Sequence, residues 1–330
     1  MSEGWNSFGA QAMHYFNRPD GGVRREPLAG PAAWRGDELR QREDWIETFD
    51  APAVAELDAA LAAARARGLT LETLRREDVA LPRLGARVAA WRAILSGGRG
   101  FVLLRGLPVE RWGEADSALI YWALGLHLGR PGAQNPAGEL LGHVVDYGED
   151  AANPYVRRYR TAGDIAYHCD LADAVGLLCL RTARRGGASR LVSSVSVYNA
   201  LLARRPDLVA RLYEPFLLDN RDEHRGDQPP YLPVPPCRYA DGVLRTFYHS
   251  DYFRSVERHP EAPRFSPAER ELLDLYEAIA DDPALRLDMQ LRRGDLQLVS
   301  NHTVLHARTA YEDDGARGGK RHLLRLWLSL

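Results

Sequence analysis

Tyr167-His168-Cys169-Asp170 and Asn301-His302-Thr303-Val304-Leu305-His306-Ala307-Arg308 hold the residues of this chain best suited to chemistry. Two imidazoles and one carboxylate can take one face of a metal ion and leave three adjacent positions open, the arrangement of mononuclear non-haem iron sites. The segment Arg321-His322-Leu323-Leu324-Arg325 lies further along, and an arginine there can hold the far carboxylate of a 2-oxoacid. His-x-Asp/Glu alone is weak evidence, because 10 histidines and 45 acidic residues produce about 1.4 such tripeptides by chance. Here His168/Asp170, His249/Asp251 and His259/Glu261 all qualify. Pro260 and Pro263 disfavour a regular strand around the last of these. His302 shares its strand parity with His306 and competes with it as the distal ligand.

The closing segment carries its own argument. Period-two alternation puts Arg321, Leu323, Arg325 and Trp327 on one face and His322, Leu324, Leu326 and Leu328 on the other. Both faces are mainly apolar, so the strand is expected to be buried on both sides. A buried guanidinium without an anion is costly, and Arg325 therefore needs a partner. A dicarboxylate supplies one bidentately, in a way that lysine could not match.

The flanking order strengthens the first pair. His168 and Asp170 precede the apolar run Leu177-Leu178-Cys179-Leu180-Arg181, the turn Gly186-Gly187-Ala188-Ser189 and a helix from about Ser196. Together with Gly100-Phe101-Val102-Leu103-Leu104-Arg105-Gly106-Leu107-Pro108 and the block from Gly294 to Leu328, this resembles the taurine dioxygenase (TauD/TfdA) branch of the clavaminate-synthase-like oxygenases over roughly residues 95 to 330. The resemblance implies an α+β chain with a double-stranded β-helix, or jelly roll, at its core, with flanking helices and a lid-like insertion. It also implies Fe(II) held by His168, Asp170 and His306, the last because it stands immediately before Ala307-Arg308. Arg325 matches the residue that binds the C5 carboxylate of 2-oxoglutarate, Ser189 matches a threonine that assists it, and Arg321 matches a second basic residue nearby.

The reaction implied by the resemblance is one in which O2 and 2-oxoglutarate give succinate and CO2 while an unactivated C–H bond of a small organic substrate is oxidised. Hydroxylation is the usual outcome, with desaturation, epoxidation and ring formation open to the same chemistry. Tyr159, Arg160, Tyr167, Tyr248, Tyr252 and Arg254 lie near the ligand segments or the insertion and are candidates for substrate contact. A carboxylate or other anion would suit Arg160 or Arg254. Two rival readings are a metal-dependent hydrolase or isomerase and a non-catalytic ligand-binding module on the same fold.

The elements that must position these residues leave their own local signals. Residues 1–49, rich in Gly, Pro and Arg and without sustained periodicity, read as an extended N-terminal arm wrapped over the body or a partly disordered lead. Asp50 and Pro52 open a helix that runs to Arg67 and stops at Gly68. Further helices are expected from Arg87 to Leu95, Ala115 to Leu128, Ser196 to Leu212 and Pro267 to Asp281, the last with Ser266 and Glu269 as a capping box. Strands are expected at Phe101 to Leu104, Leu285 to Leu291, Leu296 to Ser300, His302 to Ala307 and His322 to Leu328. Between them, Asp219 to Tyr239 contains Pro229, Pro230, Pro233, Pro235 and Pro236, too many for a central strand, and suits an ordered but non-sheet covering. With Phe247 to Arg254 it makes a lid or substrate insertion spanning about 219–254.

At 330 residues the chain could form two domains, but no linker or repeat divides it, so residues 1–330 read as one. A net charge of −2 gives no electrostatic footprint for nucleic acid or anionic membrane. Cys169, Cys179 and Cys237 show neither an even count nor metal-type spacing, which fits a reduced cytoplasm. The N-terminus lacks a basic region leading into an apolar core, and no stretch reaches the length of a membrane span. A homo-oligomer is compatible with these observations.

Overall fold

The computed structural model describes residues 5–221, 223, 229–315 and 319–330. Two sheets face each other across an apolar core. The larger runs Ile46–Thr48, Phe101–Arg105, Leu296–Ser300, Ala174–Arg181, His322–Ser329 and Arg130–Gly132, with Gly142–Val144 also paired to His322–Ser329. The smaller runs Leu287–Met289, Ser189–Ser193, Val304–Arg308 and Ile165–His168. Phe101, Leu103, Val175, Cys179, Leu323 and Trp327 of the first pack with Leu191, Leu287 and Val304 of the second, and this layer is the interior of a jelly roll.

The alternation along the last strand decides what each layer contains. Leu324, Leu326 and Leu328 join the helices Ala51–Ala66, Leu84–Gly97 and Val109–Leu128 on the outer side of the large sheet. Leu323 and Trp327 face inward, and every residue of His322–Ser329 is buried. The inward register therefore carries Arg325 into the barrel, as its parity requires.

Local signals explain the helix ends. Asp50 accepts from the Ala53 amide and Pro52 sits in the first turn of Ala51–Ala66, while Gly68 continues the chain at φ +63°. Ser266 and Glu269 form the expected capping box on Pro267–Ala280. The helix expected from Ser196 to Leu212 is shorter. It covers Ser194–Arg204 and leads to a separate 3-10 turn, Val209–Tyr213, because Pro206 pushes Arg205 out of the helical region, to φ −144°.

Three further expectations need correction. The N-terminal arm is not merely extended, since Ser7 caps a helix, Phe8–Phe16, and Ile46–Thr48 adds a parallel strand beside Phe101–Arg105. The strand carrying His306 begins at Val304, so His302 lies in the preceding turn and parity with His306 does not apply to it. The proline-rich segment contributes strands of its own, as two small antiparallel pairs: Phe216–Asp219 with Tyr231–Val234, and Cys237–Ala240 with Val243–Thr246. Pro233 is tolerated there because the pair has two edges. Residues 222 and 224–228 of this insertion, and 1–4 and 316–318 elsewhere, lie outside the described residues.

Candidate metal and co-substrate site

His168 ends one strand of the small sheet and His306 stands directly opposite it on the neighbouring strand. Asp170 comes two residues after His168, and the three offer ligand atoms within 4.8 Å of one another, all buried. His306 Nε2 is 3.6 Å from Asp170 Oδ2, and the two imidazole rings lie with centroids 4.1 Å apart. His168 Nδ1 donates to the Ala166 carbonyl at 2.9 Å, which fixes the tautomer and leaves Nε2 as the free lone pair. Asp170 Oδ2 and His306 Nδ1 are buried with no hydrogen-bond partner. An unpaired buried carboxylate oxygen beside two imidazoles is what a bound cation satisfies, so the donor set fits a divalent iron.

Electrostatics favour the same state. Burial, then the neighbouring His306, pulls His168 down to about 3, so it is neutral and able to ligate at ordinary pH. Burial alone would raise the Asp170 carboxyl, yet Arg325, His306 and His168 hold it well below the usual carboxylate range. His168 is therefore ready as a neutral imidazole and Asp170 as a carboxylate.

Beside the triad lies a cavity of about 440 Å³. A smaller inner pocket of about 60 Å³ shares Tyr159, Ile165, His168, Asp170 and Arg325 with it and adds Ser189, Arg308 and Arg321. Two larger clefts on the surface, about 740 and 590 Å³, contain none of the triad, so volume alone does not locate the chemistry.

Three buried guanidiniums converge on the inner pocket. Arg325 donates from Nε to Gln134 Oε1 at 2.6 Å, lies over the Tyr159 ring at 4.5 Å and brings Nη1 to 3.6 Å from Asp170 Oδ1, while its Nη2 has no partner. Arg321 stands 5.1 Å from the Tyr311 ring and leaves Nη1 unpaired. Arg308 faces the same ring at 4.8 Å, donates to the Thr161 carbonyl at 2.8 Å and leaves Nε and Nη1 unpaired. Burial, then Arg321, lowers Arg308 to about 10. Ser189 sits opposite Arg308 in register and shares hydrogen bonds of 2.9 to 3.0 Å with Gln297. The Gly-Gly turn frames this end. Gly186 and Gly187 have φ of +74° and +69°, and a Cβ on Gly187 would meet Arg321 Nε at 3.0 Å.

Of the residues expected at the substrate, Tyr159 and Tyr252 line the 440 Å³ cavity. The others do not. Arg160 turns to Glu149 at 2.7 Å, Arg254 to Glu277 and Asp274, Tyr167 to Asp281, and Tyr248 is fully buried on Glu277. Their neighbours in sequence take the places instead, since Arg157 and Arg158 both line the cavity. Sequence proximity found the right segments but could not tell which side chains turn inward. The rival ligands also separate. His302 stacks on Tyr15 and bonds Asp173 at 2.8 Å. His249 is buried beside His168, with ring centroids 5.0 Å apart, and stacks on Tyr252. Phe8, Ala12, Met13 and Phe16 were missed entirely, although they wall the cavity from the N-terminal helix. The signal available was Ser7 as a helix cap ahead of apolar residues at helical spacing.

The family described as "Taurine catabolism dioxygenase TauD, TfdA family" matches residues 65–327, and the chain belongs to it. Its class is that of the non-haem Fe(II), 2-oxoglutarate-dependent dioxygenases. The chain is 33% identical over 317 residues to "FR-33289 synthase" of Streptomyces rubellomurinus, covering 93% of this chain and 92% of that protein. It is 29% identical to "Taurine hydroxylase-like protein SAT17" of Stachybotrys chartarum, covering 89% and 77%. In fold it resembles asparagine oxygenase in complex with Fe(II), 3-hydroxyasparagine and succinate, at a TM-score of 0.68 and 20% identity over 86% of this chain and 93% of that one. It also resembles the non-haem iron oxygenase OrfP with Fe and α-ketoglutaric acid, at 0.64 and 17%, covering 86% and 93%. Among the described residues no helix is long and apolar enough to cross a membrane.

Proposed function

We propose that His168, Asp170 and His306 hold the iron, that Arg321, Arg308 and Ser189 bind the far carboxylate of 2-oxoglutarate, and that Arg325 faces its metal-proximal end. This exchanges the two arginines relative to the sequence expectation, and the reason is distance. Arg325 lies against the ligand Asp170, whereas Arg321 comes four residues earlier, just before the strand begins, about 13 Å back along its direction. Arg308 is two residues beyond His306 on the same strand face, about 7 Å away, within the span of a five-carbon diacid anchored at the metal. The observation that carries the reading is the set of unpaired, buried guanidinium donors in the pocket that the triad also lines.

Iron with 2-oxoglutarate supplies the oxidising power when bound. The chain's own part is placement and exclusion of water. Gln134 holds Arg325 through both its side-chain oxygen and its amide, which donates to the Arg325 carbonyl at 2.7 Å. Tyr159 and Trp327 cover the guanidinium with their rings and shield it from solvent. The substrate is a small molecule that meets Phe8, Met13, Phe16 and Trp327 with its apolar part and turns an anionic group toward Arg157 and Arg158, with Leu218, Asn220 and Leu232 of the insertion on the outer wall. Hydroxylation of a C–H bond on the part nearest His168 is the expected outcome.

The deciding experiment measures succinate formed from 2-oxoglutarate under oxygen with added Fe(II). The wild-type chain should release succinate, slowly even without substrate, and His306→Ala should not. Absence of succinate from the iron-loaded wild type, or unchanged release by the variant, overturns the reading.

A further inference from the structure

A second trio of ligand-type side chains converges on the opposite face of the last strand. Glu114 comes from the helix Val109–Leu128, His143 from Gly142–Val144 and His322 from His322–Ser329, and their ligand atoms lie within 4.8 Å of one another. His143 Nδ1 and His322 Nε2 are 2.9 Å apart, and His322 Nδ1 is 3.4 Å from Glu114 Oε2. Arg181 completes the group, with Nη2 donating to His322 Nδ1 at 3.0 Å and Nη1 3.9 Å from Glu114 Oε2. We propose that Glu114, His143 and His322 form a second divalent-metal site, suited to a late first-row ion such as Zn²⁺ or Ni²⁺, in which Arg181 occupies the place of the cation until the metal arrives.

Geometry supports it first. Two nitrogens bound at 2.0–2.1 Å to one ion stand about 2.9 Å apart at a right angle and about 3.4 Å apart at a tetrahedral one, so the two imidazoles need little movement. Their backbones are fixed, because Leu324 pairs with His143 in the ladder that joins the two strands. Two imidazoles and a single carboxylate select the zinc end of the first-row series over Mg²⁺ or Ca²⁺, which want more oxygen ligands.

Protonation supports it next. Arg181 can only donate, so His322 Nδ1 accepts and the ring proton sits on Nε2, shared with His143. When an ion takes Nε2, the ring proton moves to Nδ1 and donates a hydrogen bond to Glu114 Oε2 once Arg181 swings away, which leaves Oε1, 4.0 Å from His143 Nδ1, for the ion. No net proton is lost from the ring. The arginine side chain is 37% exposed and can leave, while Glu114 and His143 open onto the surface cleft of about 740 Å³ through which the ion would enter.

The site is separate from the triad but backs onto its pocket. Arg321 and Leu323 flank His322 in sequence and Val144 comes directly after His143, and all three line the inner pocket. An ion here would pin that corner of the sheet from outside.

The test is a calorimetric Zn²⁺ titration of the full chain, repeated with Mg²⁺. Wild type should bind two zinc ions, and His143→Ala and Glu114→Gln should each lose one of them, while Mg²⁺ gives no second binding step. Arg181→Ala should tighten the second step by about tenfold, through removal of the competing cation. In His168→Ala/His306→Ala the second site should persist alone, so its failure and failure of the triad are read separately. Thermal melts of His143→Ala and Glu114→Gln confirm folding, both positions being partly exposed. A single zinc per wild-type chain, or a second zinc indifferent to His143, Glu114 and Arg181, overturns the proposal.

Discussion

Arg325 Nη1 stands 3.6 Å from Asp170 Oδ1, so the arginine on the last strand of the large sheet closes against the carboxylate just beyond the end strand of the small one. The contact ties the two halves of the barrel together at the metal. It also sets Arg325 beside the triad, which is the ground for proposing it at the metal-proximal end of the diacid.

The two arginines of the last strand should therefore separate in their effects. Truncating one partner of a desolvated charge pair costs about 2–5 kcal/mol, so Arg321→Ala should weaken 2-oxoglutarate binding by about 30-fold to several thousand-fold. Arg325→Ala should cost less in affinity and raise the share of succinate formed without substrate oxidation. Anaerobic calorimetry on the iron-loaded variants checks the first point, and equal losses from both would refute this division.

Metal retention should distinguish among the four histidines near the site. His168→Ala and His306→Ala should lose iron and turnover with the fold retained, as measured by metal analysis and circular dichroism. His302→Ala should keep its iron, because His302 bonds Asp173 instead. Loss of iron from His249→Ala with retention in His168→Ala would mean the wrong ligand set.

Gly187 should resist even the smallest side chain. At φ +69° any L-residue is strained, and a Cβ would press on Arg321 Nε. Gly187→Ala is expected to raise the 2-oxoglutarate dissociation constant by about tenfold, since about 1–3 kcal/mol of strain falls on the residue beside the far carboxylate. An unchanged constant would show that Arg321 does not depend on the turn.

Stability should fall on mild acidification. His322 is held down to about 4 and His302 is also lowered, burial being the first cause in each, whereas an unfolded histidine titrates near about 6.5. Between those values the unfolded chain binds more protons, so the stabilisation is complete above about pH 6.5 and is lost as the pH falls toward 4. Melting temperatures of chelator-treated protein should drop from pH 7 to pH 5, with a shallower slope in His322→Gln. A melting temperature that rises over that range would contradict the assignment.

Asp173 should prove to be the anchor of the N-terminal helix. It accepts from His14 at 2.7 Å, Arg18 at 2.5 Å, His302 at 2.8 Å and the Leu330 amide at 2.9 Å, and its side chain is 4% exposed. Asp173→Ala leaves those donors without their acceptor and should cost about 3 kcal/mol, read from the denaturant midpoint. Chymotrypsin should then cut after Phe16, at the end of the helix, which would free the cavity wall. Resistance at that bond would mean that apolar packing alone holds the helix.

The part of this protein that its sequence determined by itself was local. Residue types and spacing offered His168 and Asp170 with His306 among rivals that only the family resemblance set aside, alternation along His322–Ser329 set Arg325 inward, and Ser266 with Glu269 announced a helix, because each signal is complete within a few residues. Tertiary structure decided whatever depends on partners far along the chain. Only folding shows that Asp173 claims His302, that Glu149 draws Arg160 away while Arg157 lines the cavity, and that a helix outside the family's matched segment forms a wall of the cavity. The order of Arg321 and Arg325 relative to the metal belongs to the same group, since it is fixed by the pairing of two sheets. A side chain's face is set by its own strand, but its partner is set by which strand the fold places opposite.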